Sequence, residues 1–473
     1  MTTKKEKKAF KMPHLLWLMI GLLLICSLLT YIIPAGQFAM DANGAIDGSQ
    51  FSFLGHQTPV DPITALLQIF PGLTGSAVII MIVMVCGACM QVFLDTKTFD
   101  DLLDWAIYKM DGKGDTLLIS VLFCLMVYLG GFGGSDALIA VVPVGLVFAR
   151  KMKLDNVVAI GVTTFATLIG FGTGPTKMFI VQGLMGTKLY GGFLTRFVIM
   201  NIFMLLGLMF ILRYVKRIRK DPTKSLTYQD GWRPDKNEDA SANGEEPALK
   251  KVEMNWKIVI NMILFIGQFV FITIYGLTCS DMNLLFSIQA TVMMAVAIVQ
   301  GIIVGMSADE IGNSFAKGLA TMAFVGFVIG MARSISLVLT AGNVLHTIVY
   351  ALTRPLMGLP RWISSVGMML VIAIINPIIP SATSKAAILV PIIKPIGEVL
   401  GLAPELVIQS FQFGDGFTNI VSPILGWTVG SLAMAKIPFP RWLKWAFPRV
   451  LIMIAVAALL MFIFTVTGWT FVI

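Results

Sequence analysis

The sequence has little charge for its length. Of its 473 residues only 13% are Asp, Glu, Lys or Arg, whereas 57% are hydrophobic and the mean hydropathy is +0.85. A soluble domain carries about a quarter of its residues as charged side chains. The composition therefore excludes an ordinary soluble protein and predicts a chain embedded in a lipid bilayer.

Histidine and cysteine are also scarce. The chain has three His and five Cys, and its CxxC pair, Cys86 and Cys89, lies in an apolar run. No HExxH or GxSxG motif is present, so we expect no enzyme. The few Cys and His residues predict no disulfide framework and no metal cluster, and we expect no cofactor. The net charge of +9 does not indicate nucleic acid, because the basic residues flank apolar runs, as in membrane proteins.

Seven apolar runs are long enough to cross a bilayer as helices. They cover 14–34, 74–95, 191–215, 255–277, 283–305, 318–340 and 448–471. Basic residues place the N-terminus and the loop 213–256 in the cytoplasm and the C-terminus outside. Two short segments, 97–112 and 343–354, are predicted to be interfacial amphipathic helices.

Two longer apolar regions are interrupted by Gly, Pro, Ser and Thr. In the first, a glycine-rich tip at 130–136 predicts a re-entrant hairpin over 115–152, followed by a broken helix over 155–188. The second region repeats this plan, with a hairpin over 359–400 and a broken helix over 405–434. The breaks are predicted at 171–177 and 413–419, where glycines or a proline interrupt an apolar run.

The two breaks share a sequence pattern, F-G-x-G-x-T, beginning at Phe171 and at Phe413, 242 positions apart. This spacing indicates an internal duplication. We expect a first repeat over 1–220, a polar cytoplasmic linker over 221–253 and a second repeat over 254–473. Counting spans gives an all-α polytopic membrane protein with nine transmembrane helices and two hairpins, whose repeats are inverted. Inverted repeats with broken helices are typical of secondary transporters.

Five ionisable residues are predicted at membrane depth, where a charge is energetically costly and therefore indicates a structural or functional role. They are Asp136, Lys177, Arg333, Lys385 and Asp415. In one interpretation, acid and base pair within each repeat and hold each hairpin to its own broken helix. In the other, which we favour, at least Asp415 faces the ligand cavity. Arg333 is interpreted as the partner of a carbonyl or a carboxylate.

Polar side chains also cluster at the tips and breaks, where packing alone would favour Leu or Val. They are Ser135, Thr173, Thr176, Ser381, Thr383, Ser384, Thr418 and Asn419, and Gly172 lies among them. A single Ser or Thr can simply bond its own helix backbone. Together, however, hydroxyls, an amide and backbone N–H groups can bind a carboxylate, and carbonyls freed at a break can coordinate Na⁺. The set therefore predicts a site for a small anion or zwitterion with a coupling ion.

Three stretches resemble a known family. They are Met12-Pro13-His14 leading to Tyr31-Ile32-Ile33-Pro34-Ala35-Gly36, Phe411 to Asn419, and Ala433 to Phe439. The sequence is similar nearly end to end to the YfcC-like branch of the DcuC-type (C4-dicarboxylate anaerobic carrier-like) family, in the ion transporter superfamily. The resemblance implies a bacterial inner-membrane carrier with a scaffold and a moving transport domain, commonly a homodimer. Its implied substrates are C4-dicarboxylates, amino acids or peptides.

These features together predict a secondary transporter or exchanger of amino acids, basic ones included, or related small carboxylates, coupled to H⁺ or Na⁺. Asp136 and Asp415 favour a substrate that bears an amine. Two other classes remain as alternatives, a channel and an intramembrane hydrolase. A hydrolase would need a base near Ser135, and His346 is expected in an interfacial helix instead.

Overall fold

A computed structural model describes residues 15–40, 46–109, 115–133, 136–188, 191–234, 253–278, 282–379 and 382–469. The described chain is mostly helical. The first half contains α1 (Leu15–Ile32), β1 (Gly36–Met40), β2 (Ile46–Phe53), α2 (Pro62–Leu67), α3 (Ile69–Gly75), α4 (Ala77–Asp95), α5 (Thr98–Lys109), α6 (Asp115–Tyr128), α7 (Val142–Lys151), α8 (Asn156–Ile160), α9 (Ala166–Thr173), α10 (Phe179–Met185) and α11 (Phe193–Lys220).

The second half follows a similar order of elements. It contains α12 (Trp256–Thr278), α13 (Met282–Val304), α14 (Ala308–Ala341), α15 (Leu345–Thr353), α16 (Arg361–Ile375), α17 (Ala382–Val399), α18 (Pro404–Asn419), α19 (Gly426–Met434) and α20 (Phe439–Thr467). In each half a long helix precedes a short one, two arms, a broken helix and a closing long helix. The order agrees with the duplication inferred from the F-G-x-G-x-T pattern.

The helices agree with the predicted apolar runs. Six of them are long and apolar enough to cross a membrane, and four shorter ones are strongly apolar. All seven predicted runs coincide with helices, although α14 and α20 begin about ten residues before their runs. The protein is an all-α polytopic membrane protein, and the count of nine spans stays a prediction. The antiparallel hairpin of β1 and β2 was not predicted.

Equivalent helices of the two halves exchange partners. The long helices α4 and α14 pack against each other, α1 packs on α14, and α13 packs on α4. Close approach at these contacts depends on glycine: a Cβ built on Gly318 would lie 2.8 Å from the carbonyl oxygen of Gly87. The same exchange relates the broken helices, because α10 packs on α17 while α19 packs on the segment Asp136–Val141.

Both predicted hairpins consist of two helical arms around an irregular tip. In the first, α6 runs into a π-helical turn, Leu129–Gly133, and the return arm begins with a 3-10 turn and continues as α7. Lys151, at the end of α7, pairs with Asp100 and Asp104 of α5 at 2.9 and 3.0 Å. The return arm therefore ends beside the helix that precedes the first arm, as a hairpin requires.

The ends of the second hairpin also lie together. A Cβ built on Gly401, just after α17, would lie 2.8 Å from Nε of Arg361, the first residue of α16. Between the arms the chain turns at 376–379, and residues 380 and 381 lie outside the described part. It stays a prediction that each hairpin enters and leaves the membrane at the same face.

The first break begins within the predicted stretch 171–177, whereas the second lies later than the predicted stretch 413–419. α9 continues to Thr173 and the chain leaves the helix at Gly174, which is extended with φ −65° and ψ 145°. α18 is helical throughout 413–419 and ends at Asn419, so the break expected there lies at 420–425. The chain leaves α9 directly before Pro175, because the residue before proline disfavours the α conformation. α18 ends four residues before Pro423.

The first part of the predicted linker is folded onto the helices. Ser225 is buried and donates to Asp155 Oδ2 at 2.5 Å, and the Tyr214 hydroxyl donates to the same oxygen at 2.6 Å. Asp155 also caps α8 by accepting from the backbone N–H of Val158. Residues 221–234 are thereby fixed to the start of the first broken helix, and 235–252 lie outside the described residues.

Candidate functional site

A buried ion pair lies between the second hairpin and the second broken helix. The Lys385 Nζ, on the first turn of α17, donates to Asp415 Oδ1, one turn before the end of α18. Both side chains are removed from solvent, with exposures of 0% for Lys385 and 1% for Asp415. The pair is the hairpin-to-helix contact that the ion-pair interpretation predicts for this repeat, and its charges offset part of the cost of burial.

Asn376 connects this pair to the end of α18. Its Oδ1 accepts from Lys385 Nζ, while its Nδ2 donates to the carbonyl oxygen of Asp415 at 2.8 Å. The same Nδ2 lies 2.7 Å from Thr418 Oγ1 and from Asn419 Oδ1. The Asn376 amide, at the end of the first arm of the second hairpin, thus contacts Lys385 and three residues of the second broken helix.

One carboxylate oxygen of this cluster lacks a hydrogen-bond donor among the described residues. Asp415 Oδ2 is buried and receives no hydrogen bond from the described part of the chain, and Gln412 Oε1 one turn earlier is in the same state. A buried acceptor without a donor costs about 1–3 kcal/mol. Such groups often mark a functional site, because a ligand, an ion or water can supply the missing donor.

The two broken helices cross at glycines. A Cβ built on Gly172 would lie 2.8 Å from Gly416 Cα, and one built on Gly416 would overlap Gly172 Cα. Beside the crossing, Gln412 Nε2 donates to the carbonyl oxygen of Gly174 at 2.7 Å. The second broken helix therefore satisfies a carbonyl that the first break frees.

The carbonyls at the end of α18 are satisfied in a similar way. Thr428 Oγ1 donates to the carbonyl oxygen of Asn419 at 2.5 Å, and Trp442 Nε1 donates to that of Ile420 at 2.8 Å. Unpaired backbone groups are costly in a membrane, so these donors allow the helix to end within the protein.

The threonines of the predicted site have local partners. Thr173 Oγ1 donates to the Ile169 carbonyl at 2.6 Å and Thr418 Oγ1 to the Gly414 carbonyl at 2.8 Å, each one turn back along its own helix. Thr176 Oγ1 instead donates to the Gly131 carbonyl at 2.9 Å, which ties the first tip to the first break. Each hydroxyl keeps lone pairs that can accept a further hydrogen bond.

Several predicted site residues are placed only in part. Ser135 and Ser381 lie outside the described residues. Asp136, Thr383 and Ser384 are described for their backbone alone, at the start of the two return arms. Their roles in binding stay predictions.

Two further predicted charges are Lys177 and Arg333. Lys177 is half-buried in the first break, directly after Thr176. Arg333, in α14, donates through Nη1 to the Gly75 carbonyl at 2.5 Å, at the C-terminal end of α3. Arg333 is thus the partner of a carbonyl, one of the two roles expected for it, and its charge suits a helix C-terminus.

Two residues of this region were not predicted. Asn376 stands alone in an apolar arm directly before Pro377, and a lone amide in such a run was a usable signal. Arg196 lies in an apolar run, is 0% exposed, and bonds Glu405 Oε2 and Gln409 Oε1 at 3.2 Å each. It also donates to the Gly191 carbonyl. Arg196 therefore joins α11 to the start of the second broken helix.

A family model described as DcuC, C4-dicarboxylate anaerobic carrier, matches residues 12–466. The chain belongs to the DcuC family. This assignment confirms the resemblance seen in the sequence, and a membrane transporter is the function that family membership gives. As its family name states, the DcuC family consists of carriers.

Two similar proteins cover nearly the whole chain. One, from Escherichia coli strain K12, is named "Putative basic amino acid antiporter YfcC"; it is 26% identical, over 94% of this chain and 94% of the relative. The other, an uncharacterized protein of Haemophilus influenzae, is 23% identical over 98% of each chain.

Two solved transporter structures resemble the fold. The Alcanivorax borkumensis YdaH transporter is 17% identical with a TM-score of 0.48, over 98% of this chain and 100% of that one. Neisseria gonorrhoeae MtrF is 16% identical with a TM-score of 0.47, over 96% of each chain.

Proposed function

We propose that this DcuC-family protein is a secondary active transporter or exchanger of amino acids, basic ones included, or of related small carboxylates. It would work by alternating access in a bacterial inner membrane, with a cytoplasmic N-terminus and as a homodimer. A C4-dicarboxylate or peptide carrier coupled to Na⁺ or H⁺ is the second candidate, which the family name favours.

The observation that carries the proposal is the Lys385–Asp415 pair, completely buried between a hairpin and a broken helix. A pair of apolar residues of similar size would stabilise this contact as well or better, so stability alone does not account for the charges. Buried ionisable residues in membrane proteins commonly belong to substrate or ion pathways. Asp415 Oδ2, which receives no hydrogen bond from the described residues, supports the same interpretation, since it offers a negative acceptor to a ligand.

The chemistry of this cluster suits an amine-bearing substrate. A carboxylate with a free lone pair can accept from an ammonium group, and charge-assisted hydrogen bonds of this kind are strong. The hydroxyls of Thr173 and Thr418 and the backbone N–H groups at the start of α17 could bind the substrate carboxylate. The name of the Escherichia coli relative, a basic amino acid antiporter, agrees with this choice.

We assign movement to the two hairpins and the two broken helices, and the scaffold and dimer contact to α4 and α14. Two features support this division: α4 and α14 pack along much of their length, and the hairpin arms pack mainly on the broken helices. Cross-links between a hairpin and the scaffold should then abolish uptake, whereas cross-links between α4 and α14 should leave it intact. The reverse result would contradict the assignment.

Counterflow in proteoliposomes tests the substrate. Vesicles loaded with unlabelled arginine, lysine, aspartate or succinate are diluted into a trace of the same compound in labelled form. We expect transient accumulation with the amino acids. Accumulation with succinate alone would replace the proposal by the dicarboxylate candidate, and currents beyond carrier rates would indicate a channel.

A labelling experiment tests the location of the site. Cysteines placed at Ser135 and Thr383, in a chain whose native cysteines have been replaced, should react with small hydrophilic thiol reagents. Substrate should slow both reactions if the tips contribute to binding. Rates that do not respond to substrate at either position would remove the tips from the site.

A further inference from the structure

The ammonium group of Lys385 lies among oxygen atoms. Its Nζ donates to Asn376 Oδ1 and to Asp415 Oδ1, and Asn376 in turn lies against Thr418 Oγ1 and Asn419 Oδ1. Amide, hydroxyl and carboxylate oxygens around one negative charge are the ligands that hard cations select in proteins. The cluster therefore has the composition of a monovalent cation site, in which the ammonium group of Lys385 occupies the position of the cation.

The charge of the Asp415 cluster also indicates a site for one cation. Asp415 is 1% exposed and lies one turn before the end of α18, so its negative charge requires one positive charge nearby. Lys385 supplies that charge from the first turn of α17, where the positive end of the helix dipole gives it no stabilisation of its own. With Lys385 in place, a Na⁺ ion at Asp415 would add a second positive charge to a cluster that one cation already neutralises.

We propose that Lys385 acts as a tethered cation that fills the cation position of the second repeat, so that no Na⁺ binds at Asp415. This inference rests on the proposed transport function and specifies its coupling. Exchange of charge at Asp415 then falls to a proton, which would neutralise the carboxylate, or to the ammonium group of a substrate, which would displace the lysine.

The test is cation-dependent stabilisation of the purified full-length protein, which needs neither transport nor an identified substrate. A ligand that binds only the folded state raises the apparent melting temperature. Melting temperatures are compared in NaCl and in KCl at equal ionic strength. In the unmodified protein, Na⁺ should have no specific effect that depends on Asp415.

Truncation of Lys385 should create a Na⁺ site at Asp415. In Lys385→Ala the carboxylate loses its tethered cation but keeps its oxygen neighbours, so we expect a saturable Na⁺-specific rise of about 2 °C or more at 100 mM. Lys385→Met is the matched control, because it removes the charge but fills the space, and it should show no such rise. In Lys385→Ala combined with Asp415→Asn the Na⁺ effect should be lost.

Two results would overturn the inference. One is a Na⁺-specific stabilisation of the unmodified protein that Asp415→Asn abolishes, since Na⁺ would then bind beside Lys385. The other is a Lys385→Ala protein that folds but shows no response to Na⁺. If this variant cannot be purified, the comparison of the unmodified protein with Asp415→Asn still decides the question. Failure of amino acid counterflow would contradict the substrate proposal but leave these cation results unaffected.

Discussion

Gly172 and Gly416 contact each other through their backbones where the two broken helices cross. A Cβ on Gly172 would lie 2.8 Å from Gly416 Cα, and a Cβ on Gly416 would overlap Gly172 Cα. The contact brings the Asp415 cluster, one residue away, next to the end of α9. Only glycine allows two helix backbones to approach so closely, so the geometry of the candidate site depends on both residues.

Gly416→Ala should therefore separate the broken helices. The added methyl group meets backbone rather than a flexible side chain, and overpacking of this kind costs about 1–3 kcal/mol. We expect a lower apparent melting temperature and loss of uptake. Gly267→Ala in α12 is the control, since its Cβ would meet nothing within 4 Å; it should be neutral or slightly stabilising. Normal uptake by Gly416→Ala would show that the close crossing is not needed.

Asp415→Asn should destabilise the protein, because it leaves the buried Lys385 without its counter-charge. Breaking a buried pair costs about 3–5 kcal/mol. The double variant Lys385→Met, Asp415→Asn should recover most of the melting temperature but not transport, since the carboxylate is assigned to the substrate. Uptake restored in the double variant would mean that the pair is only structural.

Arg196→Lys should also lower stability although it keeps the charge. The guanidinium contacts Glu405, Gln409 and the Gly191 carbonyl together, and a single ammonium cannot reach all three. We expect a loss of about 2 kcal/mol or more, seen in thermal unfolding. Lys224→Gln, which breaks an exposed pair with Asp221, should change little. Equal effects of the two variants would show that burial of the Arg196 pair is unimportant.

Asp155 should make stability depend on pH. Burial raises the pKa of its carboxyl above 3.8, and hydrogen bonds from Ser225 and Tyr214 lower it in part. Because the folded state then binds the proton more tightly than the unfolded chain, the free energy of unfolding should fall as pH rises from about 4 through the folded pKa. Asp155→Asn keeps the helix cap and should flatten this slope.

The control for the pH experiment is Asp309→Asn, which removes one exposed carboxylate near the start of α14. It changes net charge equally but involves no burial, so the slope should remain. A slope unaffected by Asp155→Asn would show that other groups cause it.

The location of most helices could be predicted because membrane spans leave a local signal. Runs of about 20 apolar residues can be recognised without knowledge of their neighbours, and the paired F-G-x-G-x-T patterns predict a duplication. The β-hairpin at Gly36–Phe53 left a weaker signal. The repeat boundaries, the orientation and the roles of the tip residues remain predictions.

The sequence by itself determined that the protein lies in a membrane and that Lys385 and Asp415 are charges in apolar regions, since hydrophobicity and charge are properties of single residues. The tertiary structure alone decided that 413–419 is helical and that Asn376 joins the two charges. Glycines 414 and 416 suggest a break when read locally, but packing against Met369, Ile372 and Gly172 keeps them in the helix. That packing comes from residues about 40 and 240 positions away, which a local pattern does not contain.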